Sequence, residues 1–201
     1  FRSGDQSALM RFSLLPPLLA AARRNQDNLP SVTDLRMFEL GRTFRWAKVP
    51  GELPEQGRYV GLLLRGRRYP SSWSSDEVLL DAFDLKGVLE SLTELFGIEP
   101  QVEAHETPWL HPRSGSRIRI GENVVGWFGE AHPNLMERYQ LEGPPVFLAE
   151  LNLDQLAATE AGAARFTPVA KLPPAQRDLS FFVSTSVSSS EIIRAVRDAE
   201  T

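Results

Sequence analysis

The sequence contains no cysteine among its 201 residues. This absence excludes disulfide bonds, zinc sites built from thiolates and a cysteine nucleophile within this chain. No apolar run approaches the ~20 residues that a membrane-spanning helix needs. The first residues, FRSGDQSALMRF, lack the order of a signal peptide and an initiator methionine. We therefore expect a fragment of a cytoplasmic protein that has no membrane partner.

An excess of basic residues is also missing. The chain has 22 Lys and Arg against 26 Asp and Glu, which gives a formal net charge of -4. This balance argues against a uniformly basic nucleic-acid surface, and we expect no DNA partner. One local cluster, Arg65, Arg67 and Arg68 in LRGRRYP, stays open to two interpretations: a solvated loop or a partner contact.

The common catalytic motifs are absent as well. The sequence contains no GxSxG, no GxxxxGK[ST] and no GxGxxG. The three histidines, His105, His111 and His132, lack metal-ligand spacing, and the last two precede proline, which favours a role in turns. Ser114 and Ser116 fall in a loop before a strand, which does not present a nucleophile. We predict no metal site and no catalytic residue.

What is present is a succession of strands interrupted by helices, which predicts an α+β domain built on an antiparallel sheet. Ser13 is the predicted N-cap of the first helix, and Gly41 marks a bulge or a close backbone approach in the first strand. The predicted elements are helices within 8–28, 83–96, 134–141 and 152–162 and from about 190, and strands at 35–46, 58–66, 117–120, 124–129, 145–153 and 178–183.

The clearest helix lies in DAFDLKGVLESLTELFGIEP. Asp81 and Asp84 stand at its start, where free amides and the helix dipole favour carboxylates, so we assign them no catalytic role. Gly97 and Pro100 are predicted to end it. Its apolar residues recur at helical spacing and predict one wide buried stripe: Phe83, Leu85, Val88, Leu89, Leu92, Leu95 and Phe96.

Six segments, in order and spanning nearly the whole chain, resemble one family, the β subunit of bacterial phenylalanine-tRNA ligase. No single segment is decisive, but six in the same order are highly specific. They are MRFSLLPPLLAAARRN, MFELGRTF, AFDLKGVLESL, WLHPRSGSRI, VGWFGEAHP and LPPAQRDLSFFV.

The resemblance implies a fold like that of class II aminoacyl-tRNA synthetases, in a pseudo-catalytic form. In this family the β-subunit domain resembles a degenerate copy of the catalytic domain of the α subunit, and active sites belong to α. Glu130 and His132 in VGWFGEAHP are therefore interpreted as structural: Glu130 is expected to bind backbone amides, and His132 with Pro133 to set the strand-to-helix turn.

The departures from the class II pattern can be read in two places. The arginine expected to hold ATP phosphates would be Arg45, but Trp46 and Ala47 follow where an acidic residue is expected. The third motif should place an arginine on the helix after PVFLAELNL, and no arginine occurs there before Arg165. That segment carries instead Glu150, Asn152 and Asp154, and its acidic groups would repel a triphosphate.

The resemblance also implies domains and partners. We predict a pseudo-catalytic core domain at 1–162 and, at 163–201, the lead-in and truncated start of a ferredoxin-like anticodon-binding domain. Arg177 and Asp178 match that domain's RD pair and fit an internal ion pair at least as well as an RNA contact. The implied partners are the α subunit in an α₂β₂ heterotetramer and tRNA(Phe), and ATP with Mg²⁺ belongs to the holoenzyme, with no cofactor in this fragment.

The main hypothesis is a non-catalytic scaffold that supports the α subunit while it attaches phenylalanine to tRNA. The first alternative is a self-sufficient adenylate-forming enzyme that uses Arg45 together with Arg42. The second is a tRNA-binding module that acts through the C-terminal segment.

Overall fold

The computed structural model describes residues 10–29, 33–47, 49, 51–70, 72–74, 76–159 and 175–199. The chain divides into two compact units, 1–164 and 165–201. In the first unit six strands form one sheet in the order β1-β2-β6-β5-β4-β3, and every neighbouring pair is antiparallel. The strands are β1 (Leu35–Arg45), β2 (Glu55–Arg65), β3 (Gln101–Ala104), β4 (Ser116–Ile120), β5 (Asn123–Glu130) and β6 (Val146–Asn152).

The described residues form five helices, the last of them in the second unit. They are α1 (Leu15–Asn28), α2 (Ala82–Glu94), α3 (Pro133–Arg138), α4 (Leu153–Ala158) and α5 (Ser189–Asp198). The predicted α+β class and antiparallel sheet are confirmed, and so is the hairpin around Gly121, whose positive φ of 56° suits glycine in a tight turn.

The two faces of the sheet carry separate apolar clusters, since side chains alternate along each strand. One cluster joins the sheet to α1 and includes Leu15, Leu18, Leu63 and Leu148. The other lies beneath α2 and α4 and includes Leu85, Leu89, Leu62, Phe128, Leu151 and Leu156. The sheet is therefore the middle layer, and the candidate site lies on the face that α1 covers.

Two sequence predictions at the start of the chain need correction. The N-cap residue of α1 is Leu14, which makes no side-chain cap, and Ser13 instead accepts a hydrogen bond from the Leu15 amide at 3.1 Å. Gly41 is not a bulge, because β1 and β2 pair residue by residue from Leu35 to Arg45. The close approach at Gly41 is real and comes from side chains of Arg11 and Leu14, for which a glycine leaves room.

Helix α2 begins as predicted, but fewer of its apolar side chains are buried than predicted. Asp81 accepts from the amides of Phe83 and Asp84, and Asp84 closes a reciprocal capping box on Asp81. Leu85 and Leu89 are buried, whereas Phe83, Val88 and Leu95 are exposed. The predicted stripe was too wide because, among the described residues, only the sheet side of the helix is covered.

The second unit is described from residue 175 to 199. Its helix α5 begins at a capping box between Ser188 and Glu191, which agrees with the predicted start near Ser190. The predicted strand at 178–183 is wrong for the described residues: the segment carries no strand assignment. An extended segment becomes a strand only when a neighbour pairs with it, and the described part of this unit offers none.

Candidate functional site

Glu150 stands near the middle of the sheet, on the face that α1 covers. It lies on β6 opposite Gly61 of β2 on one side and Trp127 of β5 on the other. Only 6% of the residue is exposed, which is unusual for a carboxylate. The start of α1 reaches it because Gly61 has no side chain: a Cβ built there would lie 2.9 Å from Cβ of Leu14.

The Glu150 carboxylate is occupied by the chain that leads into α1. It accepts a hydrogen bond from the Leu14 amide at 2.6 Å and from the Ser13 hydroxyl at 3.0 Å. Burial raises the pKa of Glu150, while these two hydrogen bonds and the charge of Arg45 act in the opposite direction. Glu150 therefore holds a helix end on the sheet, a role that its spacing in the sequence could not reveal.

Arg11 fastens the same segment to the free edge of β1. Its guanidinium forms an ion pair with Glu39, and its Nε donates to the Arg42 carbonyl at 2.9 Å. The Phe44 amide donates in turn to the Arg11 carbonyl at 2.8 Å. The residues before α1 are thus fixed over the sheet face by contacts that join positions about thirty residues apart in the chain.

Arg45 and Arg42, the two candidate phosphate ligands, point to opposite faces of the sheet. They are three positions apart in the regular strand β1, so their side chains lie on opposite faces. Arg45 ends β1 on the Glu150 face and is exposed, whereas Arg42 lies opposite Arg58 on the other face and donates to Gln56 at 3.2 Å. They cannot grip one phosphate chain together.

The acidic and amide side chains after β6 also have structural partners. Asn152 caps α4 by accepting from the Gln155 amide, and its own amide donates to the Tyr59 hydroxyl. Asp154 accepts from the Arg58 backbone at 2.8 Å and from its Nε at 2.6 Å. These hydrogen bonds lower the pKa of Asp154.

The predicted turn at His132 is confirmed. His132 is the N-cap of α3, and its Nδ1 accepts from the Asn134 amide at 3.1 Å. In the described residues, the hydrogen bonds of Glu130 are made by its backbone, to Ser114 Oγ and from the His111 amide, so the expected binding of amides by its carboxylate is wrong. Both residues shape the end of β5.

Other polar groups singled out in the sequence are also accounted for by local structure. His111 Nδ1 accepts from the Arg113 amide in a turn, and the Ser114 hydroxyl accepts from the Glu130 amide. Within the described residues, no group of three or more His, Asp or Glu side chains is placed to hold a metal ion. None of the described helices is both long and apolar enough to cross a bilayer.

The arginine cluster at 65–68 is engaged within the molecule. Arg67 and Asp34 form two charged hydrogen bonds that lower the pKa of Asp34, chiefly through the side-chain bond. Arg68 bridges Asp81 and Asp84 at the start of α2. Arg67 and Arg68 are therefore partly buried and ion-paired within the chain.

The burial of Arg65 was not evident from the sequence. Arg65 is 3% exposed, and burial lowers its pKa. Its guanidinium donates to Gln26 Oε1 at 2.9 Å and to the Glu142 carbonyl. The Gln26 oxygen also accepts from the Glu142 amide, so Arg65 ties the end of α1 to the loop before β6.

Comparisons with known proteins identify the family of this chain. The family model described as "Phenylalanyl tRNA synthetase beta chain CLM domain" matches residues 3–153. The chain is 34% identical over 195 residues to the "Phenylalanine--tRNA ligase beta subunit" of Geobacter sulfurreducens and 37% identical over 199 residues to that of Paramagnetospirillum magneticum. Both alignments cover 96% of this chain and 24% of the relative, so the chain spans about a quarter of their length.

Solved structures support the fold alone. A pyrrolysyl tRNA synthetase of Desulfitobacterium hafniense, PylSc, superposes with a TM-score of 0.54 at 16% identity, over 73% of this chain and 48% of that one. A second structure of the enzyme from this organism gives a TM-score of 0.52. The sheet and its flanking helices therefore have a tRNA synthetase architecture, and the chain belongs to the phenylalanyl tRNA synthetase beta chain CLM domain family.

Proposed function

We propose that this chain is the non-catalytic core of the β subunit of a phenylalanine-tRNA ligase. In this account it supports an α subunit, which attaches phenylalanine to tRNA(Phe) using ATP and Mg²⁺, in a cytoplasmic α₂β₂ assembly. The observation that carries the proposal is the occupied centre of the sheet: Glu150 is buried and hydrogen-bonded to Ser13 and the Leu14 amide.

Electrostatics supports a non-catalytic role. A transferring phosphate needs preorganised cations, and the face around Glu150 offers Arg45 without Arg42. Trp46, which follows Arg45, is 94% exposed, and the helix after β6 has no arginine at 153–158. Among the described residues, a triphosphate on this face would meet the exposed Arg45, Arg11 already paired with Glu39, and the buried carboxylate of Glu150.

The domain organisation is part of the proposal. The core domain at 1–162 and the following segment at 163–201 agree with a division into compact units near residue 164. In the second unit, Leu179, Phe181 and Val183 line an apolar groove against Ile192 and Val196 of α5. This groove suits the start of a larger ferredoxin-like domain that contacts tRNA only when complete.

The test compares the full-length β subunit alone with β mixed with the α subunit. We expect β alone to fold cooperatively and to show no phenylalanine-dependent ATP-pyrophosphate exchange, and the mixture to form a larger species by light scattering that does exchange. Failure of folded β to associate with α would refute the scaffold role. Exchange by β alone would establish the enzyme alternative.

A further inference from the structure

We draw no further inference here: the strongest candidate, the exposed apolar outer face of β1 around Phe38 and Leu40, carries nothing, because nothing in the described part of the chain shows what covers it.

Discussion

At the scale of single residues, the candidate site uses its polar groups to hold structure. Glu150 accepts hydrogen bonds from the start of α1. His132 and Asn152 cap α3 and α4, and Asp154 accepts a hydrogen bond from Arg58. Each of these side chains has a partner within the chain, whereas Arg45 is exposed. A site built in this way has little left with which to bind a substrate.

Removing the Glu150 carboxylate should loosen the start of α1. Glu150→Ala leaves the buried Leu14 amide without an acceptor, and we expect a loss of about 2–3 kcal/mol in the free energy of unfolding. Glu150→Gln keeps an acceptor of the same shape and should cost much less. Chemical denaturation of both variants at neutral pH measures the difference, and equal losses would contradict this role.

The same pair gives a pH test. Burial raises the pKa of Glu150 above its ordinary value of 4.5 in the folded state, so the folded chain binds the proton more tightly than the unfolded chain. Stability of the wild type relative to Glu150→Gln should therefore fall as pH rises above that value and level off once folded Glu150 has ionised. A difference that is flat from pH 4 to 8 would contradict the raised pKa.

Local sequence reasoning succeeded for residues whose partners are near in the chain and failed for the others. The carboxylates of Asp81 and Asp84 and the turn at His132 were predicted from neighbours one to three positions away. Ser13 was predicted as a local cap, but its hydroxyl donates to Glu150, 137 residues further along. No spacing rule signals such a contact, nor the burial of Arg65.

At the scale of elements, glycines decide how closely α1 lies on the sheet. A Cβ at Gly61 would meet Leu14 Cβ at 2.9 Å and Leu18 Cδ1 at 3.1 Å. The Leu14 atom cannot rotate away, since it is fixed to the helix backbone. The helix and strand must therefore move apart when this space is filled.

We expect Gly61→Ala to lower the free energy of unfolding by about 1–3 kcal/mol, because overpacking displaces α1. Gly87→Ala is the matched control: it lies inside α2, and nothing is within 4 Å of the added Cβ. The control should be neutral or stabilising by up to about 1 kcal/mol, since alanine favours a helix. Melting curves of the two variants measure this difference in stability. A stabilising Gly61→Ala would show that α1 is loosely packed against Gly61 and would contradict the prediction.

The strands were easier to predict than the faces they bury. Alternation and turn residues located five of the six strands described in the first unit, because those signals are local. They missed the short strand β3 (Gln101–Ala104). The width of the α2 stripe was overestimated, since burial of Phe83 and Leu95 depends on what lies beyond the helix. Alternation alone already separates Arg42 from Arg45, so their placement on opposite faces was predictable from sequence.

At the scale of the whole molecule, the two faces of the sheet are covered by different helices. The Glu150 face is closed by α1 and its leading residues, and the opposite face is covered by α2 and α4 up to β2. The fold is that of a tRNA synthetase domain, while the contents of its central face are those of a structural core. This combination is what the proposed non-catalytic role requires.

The central claim is that no side chain of this chain touches the reacting atoms. The most direct measurement is phenylalanine-dependent ATP-pyrophosphate exchange by the assembled α and β subunits carrying Arg45→Ala in β, with Arg24→Ala, an exposed position of α1, as the control. We predict a wild-type kcat for both variants. A drop of about 100-fold or more for Arg45→Ala, with Arg24→Ala unaffected, would match the loss of a residue that stabilises the transferring charge and would contradict the account.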